Sequence, residues 1–229
     1  MNLSVIIPTY NEATTLPTLL ERLILNTDSR LGEILVIDGG SEDDTLALAT
    51  AHGATKALQA PHKGRASQMN YGATLAQGDV LYFVHADTIP PASYVTDIAD
   101  ALQKGNLMGC YRYQFNSPSS LLKINAYCTR FDKLMCRGGD QTFFITADLF
   151  SQLEGYKESY CIMEEYEFIR RARKVAPFYI IPKDALVSAR KYDHNCYLQV
   201  NAANLMVFLM FFMGCSPKKM ASMYKKLLN

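Results

Sequence analysis

Three short polar runs in the first 90 residues combine carboxylate, imidazole and hydroxyl groups directly after apolar segments. They are Pro8-Thr9-Tyr10-Asn11-Glu12, Asp38-Gly39-Gly40-Ser41 and His85-Ala86-Asp87-Thr88. The Asp38 carboxylate could accept hydrogen bonds from a nucleobase or ribose, and Asp87 could bind Mg²⁺ or Mn²⁺ between itself and substrate phosphates. On an extended backbone His85 points to the same side as Asp87. It could be a second metal ligand or donate a hydrogen bond to a phosphate. Each run taken alone is equally typical of strand ends and helix caps.

Charged groups elsewhere could complete such a site. Lys63 and Arg65 stand at the start of a helical segment, where the helix dipole and free N–H groups favour phosphate. Two solvent-exposed cations without a ligand would show the same spacing. Glu164 and Glu165 open a helix that ends in Arg and Lys, an order that by itself complements the helix dipole. If either glutamate faces the edge that carries Asp87, it could take the proton of an attacking hydroxyl.

The apolar segments predict how these groups are positioned. Short β-branched runs indicate strands buried on both faces, as in a parallel sheet, and the helical patterns between them predict βαβ units with right-handed crossovers. Ligands of such sheets bind outside the carboxyl ends of the strands, where the three polar runs would meet. Strands are predicted at 3–7, 34–37 and 80–84, with a weaker one at 55–59, and helices at 16–24, 45–51 and 64–76.

The pattern changes after Pro90-Pro91. Helices are predicted at 93–104 and 164–174, strands at 108–115, 142–146 and 178–181, and an amphipathic segment at 121–134. Repeats and low-complexity tracts are absent, which favours a single domain over 1–229. We divide it into a nucleotide-binding half (1–105), an acceptor half (106–194) and a C-terminal segment (195–229) that is first apolar and then basic.

Composition excludes several classes of protein. The 23 basic and 22 acidic residues give a net charge of +1, without the clustered basic excess of a nucleic-acid binder. A chain with 20% charged and 11% aromatic residues forms a core and is not disordered. The six cysteines never fall in C-x-x-C spacing, which argues against a zinc knuckle or a redox pair. The N-terminus has no signal-peptide pattern, so a cytoplasmic location is predicted.

The C-terminal segment could contact a membrane. No residue from 195 to 217 is charged, but amide side chains interrupt the apolar stretch, so an internal or interfacial helix is favoured over a spanning one. The following lysines suit docking on an anionic surface at the inner face of the membrane. A core-packing helix with a solvated basic end is equally compatible. The lysines are Lys218, Lys219, Lys225 and Lys226.

Glycine-rich phosphate loops are missing. Neither G-x-G-x-x-G nor G-x-x-x-x-G-K-[ST] follows the first strand, which argues against dinucleotide-binding and P-loop proteins. If a nucleotide binds, a metal ion and side chains must hold its phosphates.

In their order, these motifs resemble the family 2 glycosyltransferases of the GT-A fold. The resemblance rests on residues 4–12, 36–45 and 78–88, and it covers nearly the whole chain because 138–141, 163–165 and 188–190 also fit. The run 64–73 and the H-A-D-T form are similar to a bacterial subgroup labelled arsenosugar-biosynthesis glycosyltransferase-like. This implies an α/β fold of the GT-A nucleotide-diphospho-sugar transferase type, with a mostly parallel mixed sheet flanked by helices.

The resemblance also implies an activity and a set of site residues. The activity is inverting transfer of a hexose from a UDP- or GDP-linked sugar to an unidentified hydroxyl acceptor, with Mg²⁺ or Mn²⁺ as cofactor. Glu165 would be the general base, with Glu164 beside it, and the metal would be held by Asp87 with His85 and His194. The donor would contact Pro8, Tyr10, Glu12, Asp38, Lys63, Arg65, Asn70, His85, Asp140, Gln141 and Arg190.

Two departures from the family pattern keep other functions open. His85 replaces the usual first aspartate of the D-x-D element, and Glu165 stands where aspartate is usual. A catalytically weak nucleotide-sugar-binding protein is therefore one alternative, and a membrane-surface adaptor acting through the C-terminal segment is another. A sugar-nucleotide pyrophosphorylase would need a glycine-rich start that the chain lacks.

Overall fold

A computed structural model describes residues 1–137, 141–193 and 195–228. Within these residues eight strands form one mixed sheet in the order β3-β2-β1-β4-β7-β6-β8-β5. The strands are β1 (Leu3–Thr9), β2 (Leu31–Asp38), β3 (Lys56–Gln59), β4 (Val80–Phe83), β5 (Thr88–Ile89), β6 (Met108–Phe115), β7 (Phe143–Thr146) and β8 (Tyr179–Val187). The α-helices of the same residues are α1 (Leu16–Leu25), α2 (Thr45–Ala51), α3 (Arg65–Leu75), α4 (Tyr94–Gln103), α5 (Ser120–Cys128), α6 (Ala147–Gln152), α7 (Glu164–Ala172), α8 (Tyr197–Phe212) and α9 (Pro217–Leu228).

The first four strands form the parallel part of the sheet. Strand β1 is buried along its whole length because β2 and β4 flank it and helices cover both faces. In this register Thr9 lies opposite Asp38, and Ile6 lies opposite Phe83. The carboxyl ends of β1, β2 and β4 therefore meet at one edge, as the apolar runs predict.

Helix α3 packs unusually close to this part of the sheet. A Cβ atom added at Gly72 would lie 2.5 Å from Cγ2 of Ile6 and 3.1 Å from Cγ1 of Ile37. Only glycine leaves enough room at this position. The close approach carries the first turn of α3, which begins at Arg65, to the edge where the strands end.

The second half continues the same sheet in mixed orientation. Strand β7 runs antiparallel to both β4 and β6, while β8 pairs in parallel with β6 and antiparallel with β5. Strand β8 extends to Val187, beyond the predicted end at 181. Past Pro182 only alternate side chains are buried, so the apolar run is too short to reveal the full strand.

One other predicted element differs from the structure, and one residue near a correctly predicted helix has an unexpected role. The predicted amphipathic segment at 121–134 splits, because α5 ends at Cys128 and a 3₁₀ turn follows only at Leu134–Cys136. Ser41 resembles the first residue of a capping box for α2, but its hydroxyl donates to Asp38 and accepts a 2.7 Å hydrogen bond from the Asn11 backbone N–H. Ser41 therefore links two loops and does not cap the helix.

The C-terminal helices form a small hydrophobic core of their own, beside the N-terminus of α7. Its buried side chains are Met163, Val207, Met210, Phe211 and Met220. Among the described residues, no helix combines the length and the apolar character needed to cross a bilayer.

Candidate active site

A cavity of about 570 Å³ lies at the edge where β1, β2 and β4 end. All three polar runs contribute to its wall, and the start of α3 and the segment after β8 close its other sides. The predicted site residues in its lining are Pro8, Tyr10, Glu12, Lys63, Arg65, His85, Asp87 and Arg190. The structure therefore brings together side chains that lie up to 182 positions apart in the sequence, from residue 8 to residue 190.

Asp38 organises the loop after β2. Its Oδ2 accepts hydrogen bonds of 2.7 Å from the backbone N–H groups of Gly40 and Ser41, and its Oδ1 accepts from the hydroxyls of Ser41 and Thr9. The side chain is buried and does not line the cavity. In this arrangement the carboxylate shapes the cavity wall through its loop, and its contact with a nucleoside stays a prediction.

Gln68 performs a similar task that sequence reasoning missed. Its Nε2 donates to the carbonyl oxygens of Thr9, at 2.7 Å, and of Ile37, at 2.8 Å, so one buried amide fixes the ends of β1 and β2. Its position within the distinctive run at 64–73 was the available signal. Phe115, Ser188, Lys191 and Tyr192 also line the cavity. Ser188 belongs to the motif at 188–190, whereas the other three lie in segments without a recognisable motif.

A single guanidinium joins two carboxylates across the cavity. Nη2 of Arg190 lies 3.2 Å from Oδ2 of Asp87, and Nη1 donates a 2.9 Å hydrogen bond to Oε2 of Glu12. Half of the Arg190 side chain and a quarter of the Asp87 side chain are exposed. The contact therefore spans the open face of the cavity, and a bound diphosphate could draw Arg190 to itself.

The side chains of the cavity wall suit a metal ion that is bound jointly by the protein and by the phosphates of a substrate. Within the described residues, no three His, Cys, Asp or Glu side chains are grouped to hold a metal ion. Mg²⁺ commonly binds one or two carboxylates together with substrate phosphates, and Asp87 on the cavity wall fits that arrangement. Nε2 of His85 is directed to Glu165, so this nitrogen does not join Asp87 in the predicted ligand pair.

Glu165 lies in a charged cluster beside the first cavity, in contact with His85 of its lining. Its Oε1 is 3.2 Å from Nε2 of His85, and its Oε2 is 3.8 Å from Nη2 of Arg65. Burial raises the pKa of the Glu165 carboxyl, but the charge of Arg65 and the hydrogen bond and charge of His85 outweigh it, so the pKa lies below its ordinary value of 4.5. Glu165 is therefore a carboxylate at neutral pH.

The neighbouring Glu164 has a different role. Its Oε1 lies 2.5 Å from Nε of Arg65, its side chain is buried, and it does not line the first cavity or the second cavity described below. Both glutamates stand in the first turn of α7, where the helix dipole favours negative charge. Met163, just before them, has a left-handed backbone with φ of 65°, a strained conformation of the kind that clusters at functional sites.

A second cavity of about 480 Å³ lies on the other side of Glu165. Arg65, Lys191 and Tyr192 line both cavities and thus separate them. Helices α5 and α8 supply amide side chains to the second cavity through Asn125, Asn201 and Asn204. Glu165 lines this second cavity, while its partner His85 lines the first.

Other predicted donor residues fall elsewhere. The Asn70 amide exchanges hydrogen bonds of 2.8 and 2.9 Å with the backbone of Tyr156, so it anchors α3 to the loop after α6 and lies outside the first cavity. Gln141 is buried and donates to the carbonyl oxygen of Tyr111 at 3.3 Å. Asp140 and His194 lie outside the described residues.

Comparison with known proteins gives a family match over the first two thirds of the chain. The model described as "Glycosyl transferase family 2" matches residues 4–153. An uncharacterized glycosyltransferase of Mycobacterium tuberculosis strain H37Rv is 32% identical over 158 residues, which cover 62% of this chain and 58% of that protein. Glucosyl-3-phosphoglycerate synthase of the same strain is 34% identical over 98 residues, which cover 39% of this chain and 30% of the synthase.

Solved structures share the fold at low sequence identity. The chain superposes on S. aureus TarS in complex with UDP-GlcNAc with a TM-score of 0.68 and 17% identity, covering 100% of this chain and 72% of TarS. A mannosyltransferase of Pyrobaculum calidifontis in complex with GDP-Man and Mn²⁺ gives the same TM-score and identity over 90% of this chain and 62% of that one. These likenesses confirm the predicted fold class.

Proposed function

Because the chain belongs to glycosyl transferase family 2, we propose that it transfers a sugar from a nucleotide-diphosphate donor to an acceptor hydroxyl. The observation that carries this proposal is the position of Glu165, a carboxylate that lines the second cavity and lies 3.2 Å from His85, which lines the first. A donor in the first cavity and an acceptor in the second would meet at this carboxylate.

The first cavity suits the donor. Its wall carries the cations Lys63, Arg65 and Arg190, which can balance the charge of a diphosphate. Tyr10 is more than half exposed at the cavity and offers a ring on which a base could stack. Structural neighbours with bound UDP-GlcNAc or GDP-Man support a nucleotide-sugar donor.

A divalent cation is part of the proposal. Asp87 would hold it together with donor phosphates, and when bound it would neutralise charge that develops on the leaving diphosphate. Structures of related proteins with Mn²⁺ or Mg²⁺ support such an ion. The chain's own contribution to the same charge would come from Arg190, once it leaves the Asp87 carboxylate for the diphosphate.

Glu165 would act as the general base. Its carboxylate would accept the proton of the acceptor hydroxyl as that oxygen attacks the anomeric carbon, with inversion of configuration, and His85 and Arg65 would hold the carboxylate in place. Inversion is proposed because the resemblance to family 2 glycosyltransferases implies it. The hexosyl specificity and the arsenosugar-type subgroup stay predictions.

A panel of nucleotides tests the donor site. We expect UDP or GDP, but not both equally, to raise the melting temperature, and Mn²⁺ to increase the shift for wild type but not for Asp87→Ala. Mass spectrometry then measures whether the protein consumes the nucleotide-sugar that contains the bound nucleotide. Binding without consumption, across a broad acceptor panel and with water, would favour the nucleotide-sugar-binding alternative, and no binding of any nucleotide would refute the proposed function.

A further inference from the structure

Helix α8 is apolar on two opposite sides. One side packs on the protein through Val200, Ala203, Val207, Met210 and Phe211. At 100° per residue, the opposite side carries Leu198, Leu205, Leu209, Phe212 and Met213, whose exposed fractions run from 49% to 75%. A surface helix normally presents polar side chains on its outer side, so this outer stripe indicates contact with something apolar.

Helix α5 and the segment after it extend the exposed apolar surface beside α8. The two helices are joined through Asn125, which donates to Oδ1 of Asn201 at 3.1 Å and accepts from the Tyr197 hydroxyl at 2.8 Å. We call the exposed apolar side chains on both sides of this joint the apolar ridge. It consists of Leu121, Ile124, Tyr127, Phe131 and Met135 together with the outer stripe of α8.

Positive charge borders the apolar ridge. The sequence from 195 to 229 contains four lysines and no acidic residue. All four lie on one side of α9, opposite the buried Met220, and all are exposed. Gln199 of α8 donates to the carbonyl oxygen of Leu227 at 2.7 Å, so the lysine-bearing helix packs directly beside the ridge. The lysines are Lys218, Lys219, Lys225 and Lys226.

We propose that the apolar ridge is a docking surface for an anionic lipid bilayer. Its apolar side chains enter the boundary between headgroups and acyl chains, and the α9 lysines bind the anionic headgroups. Charge complementarity favours lipid over a second copy of this chain, because a second copy would bring its own α9 lysines to a segment, 195–229, that contains no acidic residue.

Docking through the apolar ridge would also place the second cavity next to the bilayer. Asn125 of α5 and Asn201 of α8 line that cavity and lie at the joint inside the ridge. A docked molecule therefore holds the second cavity at the bilayer surface, within reach of a hydroxyl that a lipid carries. This step rests on the proposed function, whereas the docking itself does not.

Vesicle co-sedimentation of the full chain tests the docking without donor or acceptor. We expect binding to phosphatidylcholine vesicles that contain phosphatidylglycerol, weaker binding to phosphatidylcholine alone, and a decrease as salt screens the lysines. The variant Leu205→Glu/Leu209→Glu should bind at least tenfold more weakly. Leu25→Glu is the matched control, because Leu25 is 77% exposed on α1, away from the ridge, and its binding should equal that of wild type.

A charge variant provides a second measurement if the ridge variant loses its fold by circular dichroism. Lys225→Glu/Lys226→Glu lies on the exposed side of α9 and should lose roughly fivefold in vesicle affinity for each lysine. Wild-type protein that stays in the supernatant with anionic vesicles, or ridge and charge variants that bind as well as wild type, would overturn the proposal. So would a wild-type dimer that the ridge variant dissociates and that shows no vesicle binding.

Discussion

Replacing Glu165 by Gln removes the proposed base while preserving the size of the side chain. The carboxylate is the acceptor that His85, at 3.2 Å, and Arg65, at 3.8 Å, both face, and its side chain is only 12% exposed. A glutamine amide can still accept one of these contacts through its oxygen. The fold and the first cavity, which Glu165 does not line, should therefore persist.

The expected loss in rate follows from the surroundings of the carboxylate. General-base catalysis contributes about 10²–10⁴-fold, or roughly 3–5 kcal/mol at 1.36 kcal/mol per tenfold. Arg65 and His85 hold the pKa of Glu165 below its ordinary value, which makes the carboxylate a weaker base. We therefore expect the lower part of that range, a decrease in kcat of about 100- to 1,000-fold.

Steady-state transfer and nucleotide binding should be measured on the same samples. For Glu165→Gln we expect kcat to fall while the Kd of the nucleoside diphosphate stays within about twofold of wild type. Glu165→Asp keeps the charge but withdraws the carboxylate by about one methylene, and a displacement near 1 Å can cost about 100-fold in rate. Glu21→Gln is the control, because Glu21 is a 66% exposed glutamate on α1 and its replacement should leave both quantities unchanged.

One outcome would refute the assignment of the base. If Glu165→Gln transfers sugar within about threefold of wild type while Asp87→Ala abolishes transfer, the proton must go elsewhere. Glu164 would then be the next glutamate to replace, although its contact with Arg65 and its burial argue against it.

Three further changes probe the scaffold and the donor site. Glu167→Gln breaks a buried ion pair with Arg171, so it should cost about 3 kcal/mol and lower Tm by roughly 6–12 °C at pH 7. Burial raises the pKa of Glu167, but its hydrogen bonds to Arg171 and Lys157 bring it below 4.5. The difference in Tm should therefore shrink as pH falls below that value. Gly72→Ala places a Cβ atom against Ile6, so denaturation should show a loss of about 1–3 kcal/mol. Arg190→Ala should lower kcat/KM for the donor about tenfold or more, with a fall in kcat as well as a rise in KM, because Arg190 is proposed to stabilise charge on the leaving diphosphate; steady-state kinetics would show this.

The sequence predicts the parallel part of the fold well because local patterns determine it. Strands β1, β2 and β4 are continuous apolar runs, and each ends at a polar run that the structure brings to the cavity edge or its loops. The antiparallel insertion of β7 between β4 and β6 depends on pairing between residues about 60 positions apart. Local periodicity carries no information on such pairing, so the strand order could not be predicted.

The candidate site also combines features that local sequence motifs predict with features that depend on long-range contacts. Eight of the 17 residues that line the first cavity are predicted site residues, and five of the eight lie in polar runs that directly follow predicted strands. The alternative tasks of Asp38 and Asn70 could not be predicted, since both amino acids suit ligand contacts and loop hydrogen bonds equally well. Their partners, the backbone of Gly40 and of Tyr156, become visible only when the chain is folded.

The two departures from the family pattern are in contact with each other. His85 and Glu165, which replace aspartates in the usual motifs, lie 80 positions apart in the sequence and 3.2 Å apart in the structure. A carboxylate at position 85 would face the carboxylate of residue 165, and like charges at that distance raise the pKa of one of them. The histidine gives the carboxylate a hydrogen-bond donor, and the longer glutamate arm reaches it. The contact therefore gives both departures one role in the proposal, because the histidine at the position of a metal-binding aspartate holds the proposed base.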